Sequence, residues 1–370
     1  MRLPLANRTR YPDMKIVKLS VLWAARTAGL FRLFRHFTSS KVRIVCYHGG
    51  CLGDEHMFNP LLFCHGELLD QRLTWMRKTG FTIISLADAV ALLGSDTVRP
   101  RLPAVLTFDD GWYSTYRTLH PVVARHRVPA TLYLCTSYYL ERRPNLEVAI
   151  AYLIWRAESR SVSVVGLNKQ VDGDYDLTST SGRTRLRDAT TNWLRQGDLG
   201  SEAVCAALER LGEQLGLTSA DLDFASRRFD FVYQDELREM LAGGWSVELH
   251  GHLHLYPAAR PESLPEDIAR CRAAIRDAGL PEANHYCYPS GDHDAAAGRY
   301  LEALGVRSAT TCMPGLIDRA DGMSRFYLSR LLDGERIHRL EFEAEMSGFS
   351  DFLRWLANLG RIAPKTPREH

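Results

Sequence analysis

The sequence has no Cys-x-x-Cys pair, although eight cysteines are scattered along its 370 residues. A chain of this length can bury a full hydrophobic core without a disulfide framework, so we expect the cysteines to be reduced and packed. Neither sign of charge dominates, since 46 Lys and Arg balance 44 Asp and Glu to give a net charge of +2. This balance does not indicate a nucleic-acid partner. Internal repeats and low-complexity tracts are also absent, which excludes a repeat architecture.

The sequence also lacks a long uninterrupted apolar run. Lys18 and Arg26 interrupt the segment from Met14 to Phe37, so a transmembrane helix is not expected there, and no secretory signal is recognisable. The segment has the pattern of a basic amphipathic helix, which could lie on an anionic membrane or pack on the outer wall of the fold. Its apolar stripe would comprise Ile16, Leu19, Trp23, Leu30, Phe34 and Phe37. We therefore expect a cytoplasmic protein, with contact to the inner face of the membrane as an option.

Short apolar runs alternate with helical patterns through most of the chain. The runs that predict strands are 42–47, 81–84, 104–108, 130–135, 245–249, 284–288, 308–311 and 327–332. Strand–helix alternation favours a parallel sheet with helical crossovers. Residues 141 to about 226 break the rhythm, and we interpret them as a mainly helical subdomain inserted in one loop. Because barrel folds acquire specificity in such loops, we expect a role on the substrate side rather than a purely structural flap.

Two adjacent carboxylates follow one of the predicted strands. The run from Ala104 to Phe108 ends in Asp109, Asp110 and Gly111. The carboxyl ends of buried parallel strands are where α/β proteins place their chemistry. A solvated Asp-Gly turn would explain the same residues, because Asp and Gly dominate turns in general.

Three histidines lie within five residues at the end of another predicted strand. The strand from Trp245 to Leu249 is followed by His250, His252 and His254. On a strand all three side chains would share one face, whereas on a turn His250 and His254 could face one ion while His252 points elsewhere. Imidazole is the commonest metal ligand at neutral pH. The cluster therefore favours a metal site over three structural histidines.

Four short motifs occur in a fixed order along the chain. They are Val42-Arg-Ile-Val-Cys-Tyr-His48, Thr107-Phe108-Asp109-Asp110-Gly111, the pair His250-x-x-x-His254, and Tyr286-Cys-Tyr-Pro-Ser-Gly-Asp292. Together they resemble the polysaccharide deacetylases of carbohydrate esterase family four, the NodB-homology domain. The first motif resembles the opening strand of the exopolysaccharide-type members. The resemblance spans roughly residues 41 to 348, and each motif alone is far less specific than the ordered set.

The resemblance implies a distorted (β/α) barrel of the polysaccharide deacetylase type with an inserted, mainly helical subdomain. We expect an N-terminal basic tail and amphipathic helix at 1–40 and the barrel at 41–348. The insertion would occupy about 141–226, and a C-terminal helix and tail would follow at 349–370.

The resemblance also implies how the acidic and histidine residues divide the work. Asp110, His250 and His254 would supply one oxygen and two nitrogens to a divalent metal, leaving positions open for water and substrate. Zinc is the first choice of ion, although the same ligands would accept other divalent metals. Asp109 would act as the general base that takes a proton from the attacking water. No organic cofactor is implied.

Ser290, Arg330 and His48 complete the candidate site. Ser290 matches the family position whose backbone N–H stabilises the charge that develops on the attacked carbonyl. In better-known members the third motif supplies an arginine that holds the base, but this chain has Cys287 there. Arg330, in a segment resembling the late Leu-Pro-Arg strand of exopolysaccharide-type members, is our candidate for pairing with Asp109. The late Leu-x-x-His that protonates the leaving amine is missing, and His48 is our candidate for that general acid.

The expected reaction is metal-dependent hydrolysis of N-acetyl groups on amino sugars, such as N-acetylglucosamine units, in a polysaccharide or oligosaccharide. Two alternatives stay open. Related barrels hydrolyse formamides or other non-peptide C–N bonds, including those on lipid-linked sugars, and a membrane-surface helix would suit such a substrate. The two departures from the family pattern would also fit a carbohydrate-binding barrel without turnover. Metal content, acetate release and formate release distinguish the three.

Overall fold

The computed structural model describes residues 12–197, 199–257 and 259–359. Most of the predicted basic tail, residues 1–11, and the predicted C-terminal tail, residues 360–370, lie outside this part of the chain. The strands are β1 (Arg43–Tyr47), β2 (Gly49–Gly50), β3 (Phe63–Cys64), β4 (Thr82–Ile83), β5 (Pro103–Asp110), β6 (Ala130–Leu134), β7 (Ser161–Val164), β8 (Gly173–Asp176), β9 (Trp245–Leu249), β10 (His285–Cys287), β11 (Ser308–Thr310) and β12 (Leu331–Leu332). The helices are α1 (Pro12–Thr27), α2 (Leu30–Phe37), α3 (Glu55–Phe58), α4 (Gly66–Thr79), α5 (Leu86–Leu93), α6 (His120–His126), α7 (Thr136–Glu141), α8 (Leu146–Arg156), α9 (Thr180–Gln196), α10 (Ser201–Gln214), α11 (Ser219–Leu222), α12 (Gln234–Ala242), α13 (Leu264–Asp277), α14 (Ala297–Ala303), α15 (Arg339–Ser347) and α16 (Phe349–Leu359).

Eight strands, all paired in parallel, form the central sheet. Their order is β11-β10-β9-β6-β5-β1-β12, and β4 pairs with the first two residues of β5. Leu328 pairs with Thr310 at the end of β11, and three residues later Leu331 pairs with Val45 of β1. The segment 328–331 therefore contacts both β11 and β1, so the sheet is curved into a barrel-like shape. The predicted distorted (β/α) barrel is confirmed.

Strand β6 separates the two strands that carry the candidate chemistry. Asp110 at the end of β5 is in register with Leu134 of β6, and Leu134 is in register with Leu249 at the end of β9. Neighbouring strands lie about 4.8 Å apart, so the ends of β5 and β9 are about 10 Å apart. Side chains that extend from both ends can meet above β6.

The inserted segment has a hydrophobic core of its own. Helices α8 to α11 and the antiparallel hairpin β7–β8 bury a separate apolar cluster, and the barrel residues Phe63 and Trp112 belong to the same cluster. The insertion also forms charged contacts with the loop after β1. Nε of Arg228 lies 2.8 Å from Oε1 of Glu55, whose side chain is fully buried. Apolar and ionic contacts thus anchor the insertion on the loops at one end of the barrel.

The N-terminal segment forms two helices rather than the single helix expected from Met14 to Phe37. Gly29, with φ of 79°, separates α1 from α2. Leu22 and Phe31 are buried in a cluster with Phe349 of α16. Among the described residues, no helix combines the length and the apolar character needed to cross a bilayer.

The apolar stripe expected along the N-terminal segment is split, because Leu30 and Phe34 on α2 pack against the buried cluster whereas its residues on α1 face outward. Ile16 and Trp23 are 61% and 60% exposed. The reason is electrostatic, because Lys18 lies 2.6 Å from Glu341 of α15 and Arg26 lies 2.6 Å from Glu343. These ion pairs turn the basic side of α1 towards α15 and leave an uncharged, apolar side outward.

All eight cysteines are free, and six of them are buried. They pack in the barrel and its loops, in keeping with the expectation of reduced, packed side chains.

Candidate active site

The ends of β5 and β9 bring Asp110, His250 and His254 together. The Nε2 atoms of His250 and His254 lie 3.2 Å and 3.0 Å from Oδ1 of Asp110. Asp110 is 3% exposed and His250 is 2% exposed. A solvated Asp-Gly turn, the alternative left open by the sequence, is therefore excluded for this carboxylate.

A tight turn after β9 determines which histidines face Asp110. Gly251 and His254 have positive φ angles of 72° and 53°, so the chain leaves the extended conformation directly after His250. His252 points elsewhere, and its Nδ1 lies 3.0 Å from the hydroxyl of Thr136. Of the two geometries considered for the histidine segment, the turn is the one that occurs.

Asp267 orders this turn, and sequence reasoning missed it. Its two carboxylate oxygens accept hydrogen bonds from the backbone N–H groups of His252 at 2.8 Å and Leu253 at 3.0 Å. In the sequence, Asp267 is one of two acidic residues in the first turn of α13, where acidic residues are common for reasons of the helix dipole. Because the helix dipole already explains an acidic residue there, the sequence does not indicate that Asp267 also orders the histidine turn.

The side chains of Asp110, His250 and His254 fit a divalent metal. Oδ1 of Asp110 is buried and accepts no hydrogen bond from the described residues, although two imidazole nitrogens face it. An unsatisfied buried carboxylate oxygen is costly, and a cation would satisfy it. Nδ1 of His250 lies 3.0 Å from the carbonyl oxygen of Cys287, so the ring can donate there and present an unprotonated Nε2 to a metal. One carboxylate and two imidazoles leave coordination positions open, as in catalytic sites.

Trp112 fixes the second oxygen of the same carboxylate. Its indole Nε1 donates to Oδ2 of Asp110 at 2.8 Å, and its ring is 1% exposed. The ring packs against Phe63 and Phe231. Trp112 therefore links the orientation of Asp110 to the packing of the insertion. The sequence position of Trp112, two residues after Asp110, does not predict this link.

Asp109 lies beside the cluster and is held by Arg330. The guanidinium donates to both carboxylate oxygens, with Nη1 2.7 Å from Oδ1 and Nη2 2.8 Å from Oδ2. Burial alone would raise the pKa of Asp109, but Arg330 and His250 lower it to about 2. Asp109 is thus ionised at neutral pH. Because Arg330 occupies both of its oxygens, Asp110 is the carboxylate available to a metal.

The structure places Arg330 where the sequence argument expected it, against Asp109. The sulfur of Cys287, which stands where better-known relatives have arginine, lies 3.7 Å from Oδ2 of Asp109. The guanidinium therefore reaches Asp109 from the strand segment after Leu328 instead of from the third motif. The catalytic role of this pair stays a prediction.

His48 and Ser290 are the remaining candidates from the sequence. Nε2 of His48 is 3.8 Å from Oδ2 of Asp109, which is too long for a hydrogen bond. Burial lowers the pKa of His48, although Asp109 and Asp110 oppose this effect. Ser290 is exposed in the loop after β10 with φ of 57°. The roles of both residues stay predictions.

His338 does not belong to this cluster. It caps the N-terminus of α15, where its Nδ1 accepts a hydrogen bond from the backbone N–H of Leu340 at 3.1 Å. His338 therefore does not replace the histidine of the late Leu-x-x-His motif, which protonates the leaving amine in better-known relatives.

A family model described as polysaccharide deacetylase matches residues 98–170 and 211–309 of the chain. The matched residues include Asp109, Asp110, His250 and His254, and the unmatched gap between the two ranges lies within the insertion. The barrel and the family match define a hydrolase that acts on non-peptide carbon–nitrogen bonds. Across these matched residues, the chain is similar to the polysaccharide deacetylase family.

Solved structures share this fold at low sequence identity. The deacetylase PplD of Streptococcus pyogenes, in complex with acetate, has a TM-score of 0.54 at 15% identity, covering 84% of this chain and 99% of that chain. IcaB from Ammonifex degensii has a TM-score of 0.53 at 15% identity, with coverages of 83% and 97%. A de-N-acetylase from Aggregatibacter actinomycetemcomitans has a TM-score of 0.50 at 14% identity, with coverages of 82% and 99%. No curated protein matches the chain significantly.

Proposed function

We propose that the protein is a metal-dependent deacetylase that hydrolyses N-acetyl groups of amino sugars in a polysaccharide or oligosaccharide. The observation that carries this proposal is the buried Oδ1 of Asp110, which two imidazole nitrogens face within 3.2 Å and which receives no hydrogen bond from the described residues. The ionised Asp109 alongside supplies a base. The match to the polysaccharide deacetylase family and the fold shared with IcaB and with a de-N-acetylase support the substrate class.

Asp110, His250 and His254 would hold the metal, for which zinc is the first choice. A divalent cation bound by such a set lowers the pKa of water and polarises a carbonyl oxygen. The Cys287 carbonyl orients His250 and the Trp112 indole orients Asp110, so these two ligand side chains are held in place before a metal binds.

Asp109 takes a proton from the attacking water. The water oxygen then bonds to the acyl carbon, and the carbon–nitrogen bond breaks to give acetate and a free amine. Arg330 keeps Asp109 anionic and, by donating to both oxygens, fixes the orientation of the carboxylate. With a pKa of about 2, Asp109 is present as the carboxylate at every pH at which the enzyme would work.

His48 returns the proton to the leaving nitrogen. Because burial lowers the pKa of its imidazole, His48 rests in the neutral form and can accept a proton. Its Nε2 is 3.8 Å from Oδ2 of Asp109, so a small side-chain shift closes the path between the two groups. The backbone N–H of Ser290 would stabilise the charge on the former carbonyl oxygen.

Metal analysis combined with acetate release tests the proposal. Acetylated chitooligosaccharides should yield acetate, chelation should stop the reaction, and zinc should restore it. Asp110→Asn should lose both turnover and one equivalent of metal, whereas Asp109→Asn should keep the metal and lose turnover. Formate release from a formylated sugar would instead support the deformylase alternative. Sugar binding without metal and without turnover would support the non-catalytic barrel.

We also propose that α1 contacts an anionic membrane surface, which would suit a lipid-linked sugar and a place at the inner face of the cytoplasmic membrane. Ile16, Val17 and Trp23 are 61%, 63% and 60% exposed and lie opposite the buried Leu22. A cavity of about 270 Å³ at the junction with α2 is lined by Arg26, Arg32 and Arg35 together with Glu343, the partner of Arg26. Sedimentation with vesicles containing phosphatidylglycerol tests this contact. Trp23→Ser should weaken the binding, and equal sedimentation with neutral vesicles would argue against it.

A further inference from the structure

A second cluster of metal-binding side chains lies in the loop between β1 and α4. Cys51, His56 and His65 each offer a ligand atom, one sulfur and two imidazole nitrogens, and these atoms all lie within 4.8 Å of one another. The two imidazole rings have centroids 4.2 Å apart and are inclined by 58°. Cys51 is buried and both histidines are half-buried. None of the three belongs to the Asp110 cluster.

Glu335 already orients one of the three side chains, and a second has an unpaired buried nitrogen. Oε1 of Glu335 lies 2.8 Å from Nδ1 of His65 and also accepts the backbone N–H of His65 at 2.8 Å. Carboxylates orient metal-binding histidines in this way, and the contact leaves Nε2 of the ring free. Nδ1 of His56 is shielded from solvent and has no hydrogen-bond partner in the described part of the chain. A buried nitrogen without a donor or acceptor is rare in folded proteins and needs an explanation.

We propose that Cys51, His56 and His65 form a second metal site that takes zinc. A thiolate with two imidazoles is a donor set for zinc and other borderline-soft cations, whereas magnesium and calcium require oxygen ligands. Ligand atoms of a tetrahedral site lie about 3.3 to 3.8 Å apart for bonds of 2.0 to 2.3 Å, so small side-chain movements would close the cluster around an ion. The fourth position would be filled by water.

The thiol of Cys51 must lose its proton to bind the ion. Burial and the neighbouring Glu55 raise the pKa of this thiol to about 12. The S–H bond breaks, the sulfur–metal bond forms, and the proton leaves to solvent, so no oxidant or reductant is needed.

Three protein ligands and a water do not by themselves separate a structural from a catalytic metal site, but the position of this cluster indicates a structural role. Strands β2 and β3 pair across the loop, and the backbone N–H of Cys51 donates to the carbonyl of Cys64 at 3.0 Å. The loop begins at His48, and Glu55 within it pairs with Arg228 beside the insertion. An ion bound by Cys51, His56 and His65 would cross-link a loop that carries a candidate catalytic residue and supports the insertion.

Cobalt spectroscopy on the full-length chain tests the site independently of catalysis. A double variant, Asp110→Asn with His250→Ala, lacks two ligands of the catalytic cluster. Cobalt chloride added to this metal-free protein should produce a thiolate-to-cobalt charge-transfer band in the near ultraviolet that saturates at one equivalent. The oxygen and nitrogen ligands of the catalytic cluster cannot produce this band. The unsubstituted protein should show the same band, so the test does not depend on the folding of the double variant.

Single substitutions locate the sulfur. Cys51→Ser and His65→Ala should each abolish the band, and zinc should raise the melting temperature of the double variant but not of its Cys51→Ser derivative. Cys205→Ser on α10 and Cys287→Ser beside Asp109 should leave the band unchanged. A missing band, a band that survives Cys51→Ser, or absorbance that rises without saturation would overturn the proposal. A failure to release acetate, with the charge-transfer band present, would count against the proposed deacetylase activity and not against the second metal site.

Discussion

Arg330 and Asp109 form a buried, bidentate ion pair in which each side chain depends on the other. Arg330 is 1% exposed and Asp109 is 2% exposed. Removing one member of a buried pair leaves an uncompensated charge, which typically costs about 3–5 kcal/mol. The same pair keeps the proposed base ionised, so stability and chemistry depend on one contact.

We predict that Arg330→Ala lowers turnover by at least about 100-fold, the scale on which general-base catalysis contributes. Without the guanidinium, burial raises the pKa of Asp109, so the acidic limb of the profile of kcat/KM against pH should move to higher pH. Arg330→Lys, which keeps a charge but loses the bidentate geometry, should be intermediate. Near-normal turnover and an unmoved acidic limb in a folded Arg330→Ala protein would show that the pairing has no catalytic role.

Glu248 makes a pH-dependent contribution to stability that is separate from the metal cluster. It is 7% exposed and accepts backbone hydrogen bonds from Asn284 and His285 at 2.7 Å and 2.8 Å. Burial raises its pKa from 4.5 to about 7. The native state therefore holds a proton that the unfolded chain loses, and stability should fall as the pH rises from 4.5 through 7, by about 3 kcal/mol in total.

His285 acts in the opposite direction over part of this range. Burial and Arg307 lower its pKa from 6.5 to about 4, so its contribution to stability rises with pH between those values. Glu248→Gln should remove only the decrease in stability that Glu248 causes as the pH rises. The free energy of unfolding of the variant, measured with denaturant from about pH 4 to about pH 8, should therefore increase relative to that of the unsubstituted protein as the pH rises. A constant difference across that range would mean that Glu248 has an ordinary pKa.

At the scale of elements, the turn after β9 is the feature on which the metal cluster depends. Its conformation combines positive φ angles at Gly251 and His254 with the two backbone hydrogen bonds to Asp267. Asp267 lies on α13, so the helix that follows the turn also holds it in place. The spacing of the histidines alone did not distinguish a strand from a turn.

We predict that Asp267→Ala weakens metal binding by about 10- to 100-fold, the usual effect of removing a residue that orients ligands. The two freed N–H groups would let His254 leave its position opposite Asp110. Metal affinity is measured by competition with a chromophoric chelator. Glu266→Ala, next in sequence but paired on the surface with Arg270, is the matched control and should bind metal normally. Equal affinities of the two variants would contradict the assigned role of Asp267.

Most strands could be predicted from the sequence because parallel strands that are buried on both faces appear as uninterrupted apolar runs. All residues of β1, β5 and β6 are buried, and each run is visible in the sequence. The packing face of α1 could not be predicted, because it depends on Glu341 and Glu343 more than 300 residues later. Likewise, Arg330 could be proposed as the partner of Asp109 from its motif, whereas Trp112 and Asp267 act through contacts that leave no local pattern.

At the scale of the whole molecule, the loop after β1 joins the barrel to the insertion. Arg228 donates to Glu55 at 2.8 Å and to Asp54 at 2.6 Å. Tyr152 of α8 donates to the same Asp54 at 2.7 Å. This network and the apolar cluster shared with Trp112 hold the insertion beside the carboxyl end of β5.

We predict that Arg228→Ala destabilises the protein by about 3–5 kcal/mol, because Glu55 would stay buried without its partner. Replacing both residues, Arg228→Met with Glu55→Gln, should recover part of that loss. In the folded fraction of the single variant, KM for an oligosaccharide should rise more than kcat falls, since the insertion rather than Asp109 is displaced. Arg195→Ala, which removes an exposed pair with Glu147 inside the insertion, should change neither quantity appreciably and serves as the control.

The proposed chemistry requires Asp110, His250 and His254 to hold a divalent metal next to an ionised Asp109. Anomalous diffraction at the zinc absorption edge, from crystals of the protein grown with zinc and acetate, tests it most directly. We expect a peak about 2.0 to 2.2 Å from Oδ1 of Asp110 and from the Nε2 atoms of both histidines, with acetate bound to the ion. A zinc-loaded crystal with no anomalous peak among these three side chains would contradict it.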